Sequence, residues 1–377
     1  MINSILKTVA FYKNSFGDFS TKRKLVVFES DDWGSIRMPN NKVYQNLKDS
    51  GFDLTNRPFE RFDSVATNED LSLLFELLAS FRDSNNNHPV ITANVITGNP
   101  DFVKIKKNDF QEFFVEEFIE TLKNYDTNFA LWEEGIKNKV FFPQFHGREH
   151  LNVPKWMHAL QEREENVCTA FDYGLMGIPP KGNPSIGNLY QIAFDLNTEL
   201  KTNRIFLNKS IKNGIEIFEK AFNYKPLSFI APVYTWDSFI ENELESSNVK
   251  YIQGGRFQTL SNLQGTIKHN IGEKKNGFMY NVRNAFFEPS TILEFDHRAA
   301  SLEQLKTQTK FAFLFNKPLV ISVHRLNFVG RIDTRNRDVN LELFKNYIKW
   351  LLNKHPDVEF LNTVQLMEII ENENSYT

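Results

Sequence analysis

Seven short apolar runs, each ending in polar or charged residues and each separated from the next by a stretch of helical periodicity, most narrowly limit how this chain can fold. The runs are Leu25–Phe28, Val90–Ile96, Val140–Phe145, Pro226–Val233, Val249–Gln253, Pro318–Val323 and Val358–Leu361. Continuous apolar runs of this length, rich in β-branched residues, read as parallel strands buried on both faces. The intervening segments read as helices: one capped by Thr67 or Asn68 and running through Leu71, Leu74, Phe75 and Leu78, one over Asn108–Asn124, one opened by Pro154, and others over Ser210–Phe222, Ser301–Leu314 and Asn340–Leu352. A repeated strand–helix alternation predicts an α/β architecture. The chain reads as a single barrel-like domain over residues 1–377, with inserted loops at about 171–200, rich in Gly and Pro, and at about 255–290. Strand order is not legible, so an open sheet satisfies the same pattern.

Charge and cysteine content narrow the function classes. Lys and Arg number 44 against 47 Asp and Glu, a formal net charge of -3, which provides no basic footprint for nucleic acid. Cys168 is the only cysteine, so an intrachain disulfide and a multi-cysteine metal site are excluded. No apolar run is long enough to span a bilayer, and residues 1–17 lack both a clean apolar core and a small-residue cleavage signal. The expectation is a cytoplasmic protein without integral membrane association.

The chemistry-bearing residues stand where strands end. Leu25–Phe28 runs directly into Glu29, Ser30, Asp31 and Asp32, and strand ends are where α/β folds place ligand chemistry. Adjacent carboxylates repel, so the Asp31–Asp32 pair calls for a cation, a basic side chain or water; a solvated turn closed by Gly34 is the other account. The third run delivers His146 and His150, an i, i+4 pair able to surround one ion on a helix or in a loop. The alternative is a loop in which one histidine bonds a backbone carbonyl. With one aspartate of the pair these histidines form a two-imidazole, one-carboxylate donor set with an open position, and zinc is the first choice for it, with iron, cobalt, nickel and manganese close behind. The other aspartate is then free to act as a base. His324 leaves the run Pro318–Val323 and is positioned to protonate a leaving group, followed by Arg325, suited to a charged group, and Asn327. Trp33, Tyr234, Trp236 and Phe328, together with Asn327, are candidates to line a substrate cleft, with core packing as the alternative for each aromatic.

Taken together these pieces resemble the polysaccharide deacetylase family of metal-dependent carbohydrate esterases. Glu29-Ser30-Asp31-Asp32-Trp33 is similar to its Thr-Phe-Asp-Asp-Gly motif, and His146-Gly147-Arg148-Glu149-His150 to its His-Ser/Thr-x-x-His motif. Ile230-Ala231-Pro232-Val233-Tyr234 is similar to Arg-x-Pro-Tyr, and Ser322-Val323-His324 to the terminal Leu-x-His. The resemblance spans roughly residues 24 to 362 and implies a distorted (β/α)7 barrel. It implies a divalent metal on Asp32, His146 and His150, Asp31 as base, His324 as acid, the N–H of Tyr234 as oxyanion donor, and hydrolysis of an N- or O-acyl group on a carbohydrate. Trp33 replaces the glycine of the first motif, Gly147 the hydroxyl residue of the second, and Ile230 the arginine that pairs with the base; Arg325, Arg148 and Arg256 are candidates to replace that arginine. A carbohydrate-binding protein that has lost turnover and a glycoside hydrolase on a related barrel are the alternatives. Oligomeric state is not legible.

Overall fold

The computed structural model describes residues 13–179, 190–196 and 201–374. In chain order the strands are β1 (Lys24–Trp33), β2 (Ile91–Val95), β3 (Gly98–Pro100), β4 (Val115–Glu117), β5 (Phe141–Phe145), β6 (Ser228–Ile230), β7 (Tyr251–Gly254), β8 (Phe257–Thr259), β9 (Thr266–Lys268), β10 (Lys274–Lys275), β11 (Phe278–Val282), β12 (Ala285–Phe286), β13 (Leu319–His324) and β14 (Val358–Leu361). Ten of them form one sheet in the order β10-β11-β7-β6-β5-β2-β1-β13-β12, with β14 also paired to β1. Every pairing in it is parallel except β10 with β11. All seven apolar runs contribute a strand to this sheet.

β11, next to one end of the sheet, is followed in the chain by β12 at the other end. The Arg283 N–H donates to the Gly254 carbonyl at 2.9 Å and the Asn284 N–H to the Val320 carbonyl at 3.0 Å, so the backbone passes from the edge of β7 to the edge of β13 within two residues. Among the described residues no ladder joins β11 to β12 directly. The segment 255–290, expected as an inserted loop, therefore holds the β8–β9 hairpin and then three strands of the main sheet, β10, β11 and β12. Of the other expected insertion, residues 180–189 and 197–200 lie outside the described residues.

Alternation along β1 sets up the site. Val26 and Phe28 face outward, where Phe28 meets Phe344 of the helix Thr334–Lys354 edge-on at 5.2 Å. Leu25 and Val27 face the other way and pack with Leu366, Met367 and Ile370 of the helix Thr363–Asn374, which closes that end of the sheet's inner face. Glu29 and Asp31 continue the inner row, so the same face turns from apolar to ionic toward the C-terminal end of the strand. The helix Asn68–Ala79 is held at its start by a reciprocal cap: the Thr67 hydroxyl accepts from the Asp70 N–H at 3.1 Å, and the Asp70 carboxylate accepts from the Thr67 N–H at 2.8 Å, an arrangement worth about 1 kcal/mol.

The single helix expected over Asn108–Asn124 is broken. The helix Phe102–Lys107 ends before it, Asp109 and Phe110 take positive φ, and Val115–Glu117 is extended as β4 against β3 before a helix resumes at Phe118. The apolar residues there serve two clusters: Phe113 and Phe114 pack against the one that holds Trp156 and Phe171, while Phe118 is buried beside Trp132 and Phe222 in the other. No helix among the described residues is long and apolar enough to cross a membrane.

Candidate metal centre and acid–base site

Successive residues of a strand face opposite ways, yet Asp31 and Asp32 both reach one cleft. The register of β1 against β2 shifts between Ser30 and Trp33, and Asp32 has φ 73°, a left-handed conformation that aspartate tolerates better than most residues. Gly34 follows with φ 83°, and a Cβ there would lie 2.5 Å from the Ile96 carbonyl oxygen, so the turn needs glycine.

Asp32, His146 and His150 converge. His146 leaves β5, Gly147 turns the chain with φ 101°, and His150 comes back to the same point. Asp32 Oδ1 is 3.6 Å from His146 Nε2 and 3.7 Å from His150 Nε2, and the three ligand atoms lie within 4.8 Å of one another. Roughly 3.3 Å between ligand atoms follows from tetrahedral angles and bonds of about 2 Å. Oδ1 is buried without a hydrogen-bond partner, a costly state for a carboxylate oxygen. The Nδ1 of His146 lies 2.9 Å from the Ile230 carbonyl, which only accepts, so the Nε2 of the neutral ring turns its lone pair to the centre. Burial, with the Arg37 charge nearby, lowers His150 to about 3 and keeps it neutral. Burial opposes ionisation of Asp32, but the Arg37 guanidinium outweighs it and holds the carboxyl well below its usual range. An orphaned carboxylate oxygen between two imidazole lone pairs fits a divalent cation.

Asp31 stands beside this centre, and its arginine is Arg283. Nη1 and Nη2 of Arg283 donate to the two Asp31 oxygens at 2.6 Å each, and Nε donates to Glu29 at 2.8 Å. Asn94 adds a bond to Asp31 Oδ1 at 2.8 Å. Burial resists the charge, but the Arg283 fork prevails and holds Asp31 at about 2. None of the three arginines named from sequence takes this place: Arg325 pairs with Asp63 at 2.9 Å, Arg148 with Glu149, and Arg256 with Asp18. Arg325 itself is buried away from the cleft, its Nη1 donating to the Ser35 carbonyl at 2.8 Å.

His324 faces Asp31 across the cleft, Nε2 to Oδ2 at 3.8 Å. Its Nδ1 is 2.7 Å from Glu288, which Asn327 holds in turn through Nδ2 at 2.7 Å. Burial alone would lower His324; Glu288 first, then Asp31 and Asp32, raise it to about 9. Glu288 escaped the sequence reading because it lies outside every motif. Its one signal is a lone acid in an otherwise apolar stretch that ends in Pro289.

The aromatic expectations divide. Tyr234 lines the cleft, its hydroxyl 3.2 Å from Arg283 Nη1. Its N–H donates to the Ala231 carbonyl at 3.0 Å within a tight turn, so it is not a free oxyanion donor. Trp33 is 1% exposed and packs edge-on against Trp132 and Phe141 at 6.0 and 5.0 Å. Trp236 is also 1% exposed, its Nε1 bonded to Glu241 at 3.2 Å, and Phe328 is buried against Phe344. These three are core residues. Asn327 is buried on Glu288 and the His324 carbonyl, so it reaches the site only through them. Trp236→Ala is accordingly expected to cost about 3–5 kcal/mol in denaturant unfolding while leaving zinc stoichiometry unchanged; a variant of parental stability with weakened sugar binding would return Trp236 to the cleft.

The cleft encloses about 190 Å³ and is lined by Asp31, Asp32, His146, His150, Tyr234 and His324, with Arg37, Phe59, Gln191, Ala231 and Val233 completing its walls. It thus offers an ion site, a clamped carboxylate and a protonated imidazole around one small volume.

No protein-family description matches this sequence, and no curated protein matches it. Solved structures similar in fold include a peptidoglycan deacetylase from Bacillus subtilis, at 12% identity and a TM-score of 0.35 over 94% of both chains. A CE4 family pseudoenzyme from Bacillus anthracis is similar at 8% identity and a TM-score of 0.38, over 92% of this chain and 66% of that one. A 4-alpha-glucanotransferase from Thermococcus litoralis is similar at 8% identity and a TM-score of 0.45, over 92% of this chain and 40% of that one. These likenesses are distant, and the residue roles rest on the geometry of this chain.

Proposed function

We propose that this protein is a metal-dependent hydrolase that removes an acyl group, acetyl in the simplest case, from the nitrogen or oxygen of a carbohydrate. The observation that carries the reading is the convergence of Asp32, His146 and His150 with a clamped carboxylate on one side and a carboxylate-backed imidazole on the other. The carbohydrate half of the proposal rests on the four motifs in their order along the chain. A divalent ion on Asp32, His146 and His150, zinc by preference, would supply Lewis-acid polarisation of the acyl carbonyl and of water.

The chain's own groups supply the proton transfers. Asp31 accepts from Arg283 on both oxygens and from Asn94 on Oδ1, which leaves acceptor capacity on Oδ2, the oxygen turned to His324. That oxygen takes the proton of attacking water. Glu288 holds the Nδ1 proton of His324, so Nε2 carries the proton available to the departing amine or alkoxide. With 3.8 Å between base and acid, both reach one reacting centre.

Acetate release from acetylated amino sugars and sugar esters by zinc-loaded protein tests the reading. Liberation of reducing ends instead would identify a glycosidic bond as the target, and sugar binding without release of either kind would identify a protein that has lost turnover.

The acid has a pH signature. His324 at about 9 lies above its ordinary 6.5, so the stabilisation it contributes is complete below pH 6.5 and fades as pH rises through 9. Its proton is lost over the same upper range. The kcat/KM profile is expected to fall on its alkaline side near pH 9, and Glu288→Gln to move that fall toward lower pH, because burial then acts on the imidazole with less opposition. An alkaline limb that Glu288→Gln leaves in place would remove His324 as the acid.

A further inference from the structure

The reaction just described leaves Arg37 without a part. Arg37 follows the turn after β1 and lines the cleft with a side chain that is only 10% exposed. Beyond it lies a second, smaller cavity of about 20 Å³ with an apolar wall of Ile36, Met38, Leu175 and Met176, so the guanidinium and Phe59 stand between the two. Nη2 donates to Asp32 Oδ2 at 3.2 Å, and Nε lies 3.5 Å from Asp63 Oδ2, beyond good hydrogen-bonding distance. The other Asp63 oxygen belongs to Arg325. Glu60 lines the second cavity but forms no ion pair with Arg37. Among the described residues nothing accepts from Nη1.

The carboxylates around the cleft leave part of Arg37 unused. Arg283 is matched by Asp31 and Glu29, His324 by Glu288, and Arg325 by one oxygen of Asp63. Arg37 has Asp32, Asp63 and Glu60 acting on it by charge, yet among the described residues only its Nη2 has a hydrogen-bond acceptor. A guanidinium with unused N–H groups directed at a cleft is the usual receptor for a carboxylate or phosphate. Phe59 fixes the direction of approach, because its ring centre is 6.0 Å from the Arg37 guanidinium and 5.2 Å from the His324 ring.

We propose that the substrate is an anionic sugar whose carboxylate or phosphate is bound by Arg37, across Phe59 from the imidazole that protonates the leaving group. This rests on the hydrolase reading above, and the test separates the two. The competing role for Arg37 is to orient Asp32 and nothing more.

Acetate release is measured on the methyl glycoside of N-acetylglucosamine, on its C6 uronate and on its 6-phosphate. The parent is expected to favour one of the anionic sugars in kcat/KM by roughly 10- to 100-fold, the worth of a charge-assisted hydrogen bond, and which one identifies carboxylate or phosphate. Arg37→Gln is expected to bring that ratio close to one. The ratio is the readout because any loss of metal through Asp32 lowers all three rates together. Equilibrium binding of glucuronate, glucose 6-phosphate and glucose to both proteins gives a measure free of turnover. Acetate release with no anionic preference, or with a preference that survives Arg37→Gln, overturns the anion site and leaves the hydrolase intact. Anion binding that disappears in Arg37→Gln, with no acetate released from any sugar, upholds the site and overturns the hydrolase. Absence of both preference and anion binding in the parent overturns the proposal.

Discussion

Asp32→Asn is expected to lose the stoichiometric zinc that the parent and Asp31→Asn retain. Asparagine is the informative replacement because position 32 has φ 73°, a conformation that asparagine adopts readily and alanine does not. The backbone turn that presents both carboxylates is thereby kept. The change removes the sole anionic donor from a set otherwise made of two imidazoles, and a neutral amide is a poor substitute for a carboxylate as ligand to a divalent cation. Asp31 accepts from Arg283 and Asn94 and lies outside the Asp32–His146–His150 cluster, so Asp31→Asn is expected to hold zinc and lose roughly 10²–10⁴ in turnover, the usual worth of a positioned base.

Metal analysis on the purified proteins reads the first effect, and thermal unfolding with and without zinc reads it independently. Free zinc at 100 times its dissociation constant stabilises the parent by about 2.7 kcal/mol, a gain that Asp32→Asn should not show. Equal zinc loss in the two variants would end the division of labour between the adjacent aspartates.

How much of this was legible follows from where each residue's partners lie in the chain. The strands β1, β2, β5, β6, β7, β13 and β14 are buried apolar runs, and burial on both faces writes itself into local sequence. The site residues that end those strands were legible for the same reason: Asp31, Asp32, His146 and His324 interrupt apolar runs. β11 was not, because its inner face carries Asn281 and leads to Arg283, both bonded to Glu29 more than 250 positions away. A strand that contributes polar groups to a buried ionic layer loses the alternation by which strands are recognised. The helix expected over Asn108–Asn124 erred the other way, since Phe113 and Phe114 pack into one apolar cluster and Phe118 into another, from an extended segment followed by a short helix. Trp33 and Trp236 could be sorted into core or cleft only by three-dimensional packing. Nor does sequence position reveal that Arg325, although it follows the acid directly, turns to Asp63.

Arg283→Met is expected to destabilise the fold strongly. Arg283 is fully buried and is the cation shared by Glu29 and Asp31, at 2.8 and 2.6 Å, with Ser322 and Tyr234 taking further bonds at 3.1 and 3.2 Å. It also sits where the chain crosses from β7 to β13: its N–H bonds the Gly254 carbonyl of β7, and its side chain reaches Glu29 and Asp31 of β1 and Ser322 of β13. Removing one partner of a buried ion pair leaves the other charged groups desolvated and unmatched, at a cost of about 3–5 kcal/mol. The loss has a definite pH dependence. Asp31 at about 2 lies below its ordinary 3.8 because of Arg283, so the stabilisation it provides is present above pH 3.8 and disappears as pH falls toward 2. Without the arginine that contribution is absent at neutral pH, and the gap in unfolding free energy between parent and variant should narrow over that same acid range. Denaturant unfolding of both proteins from pH 7 down to the lowest pH at which the parent stays folded measures the gap. A constant gap would mean that Arg283 acts by packing alone, and a gap below 1 kcal/mol would mean that Glu29 and Asp31 are held by other groups.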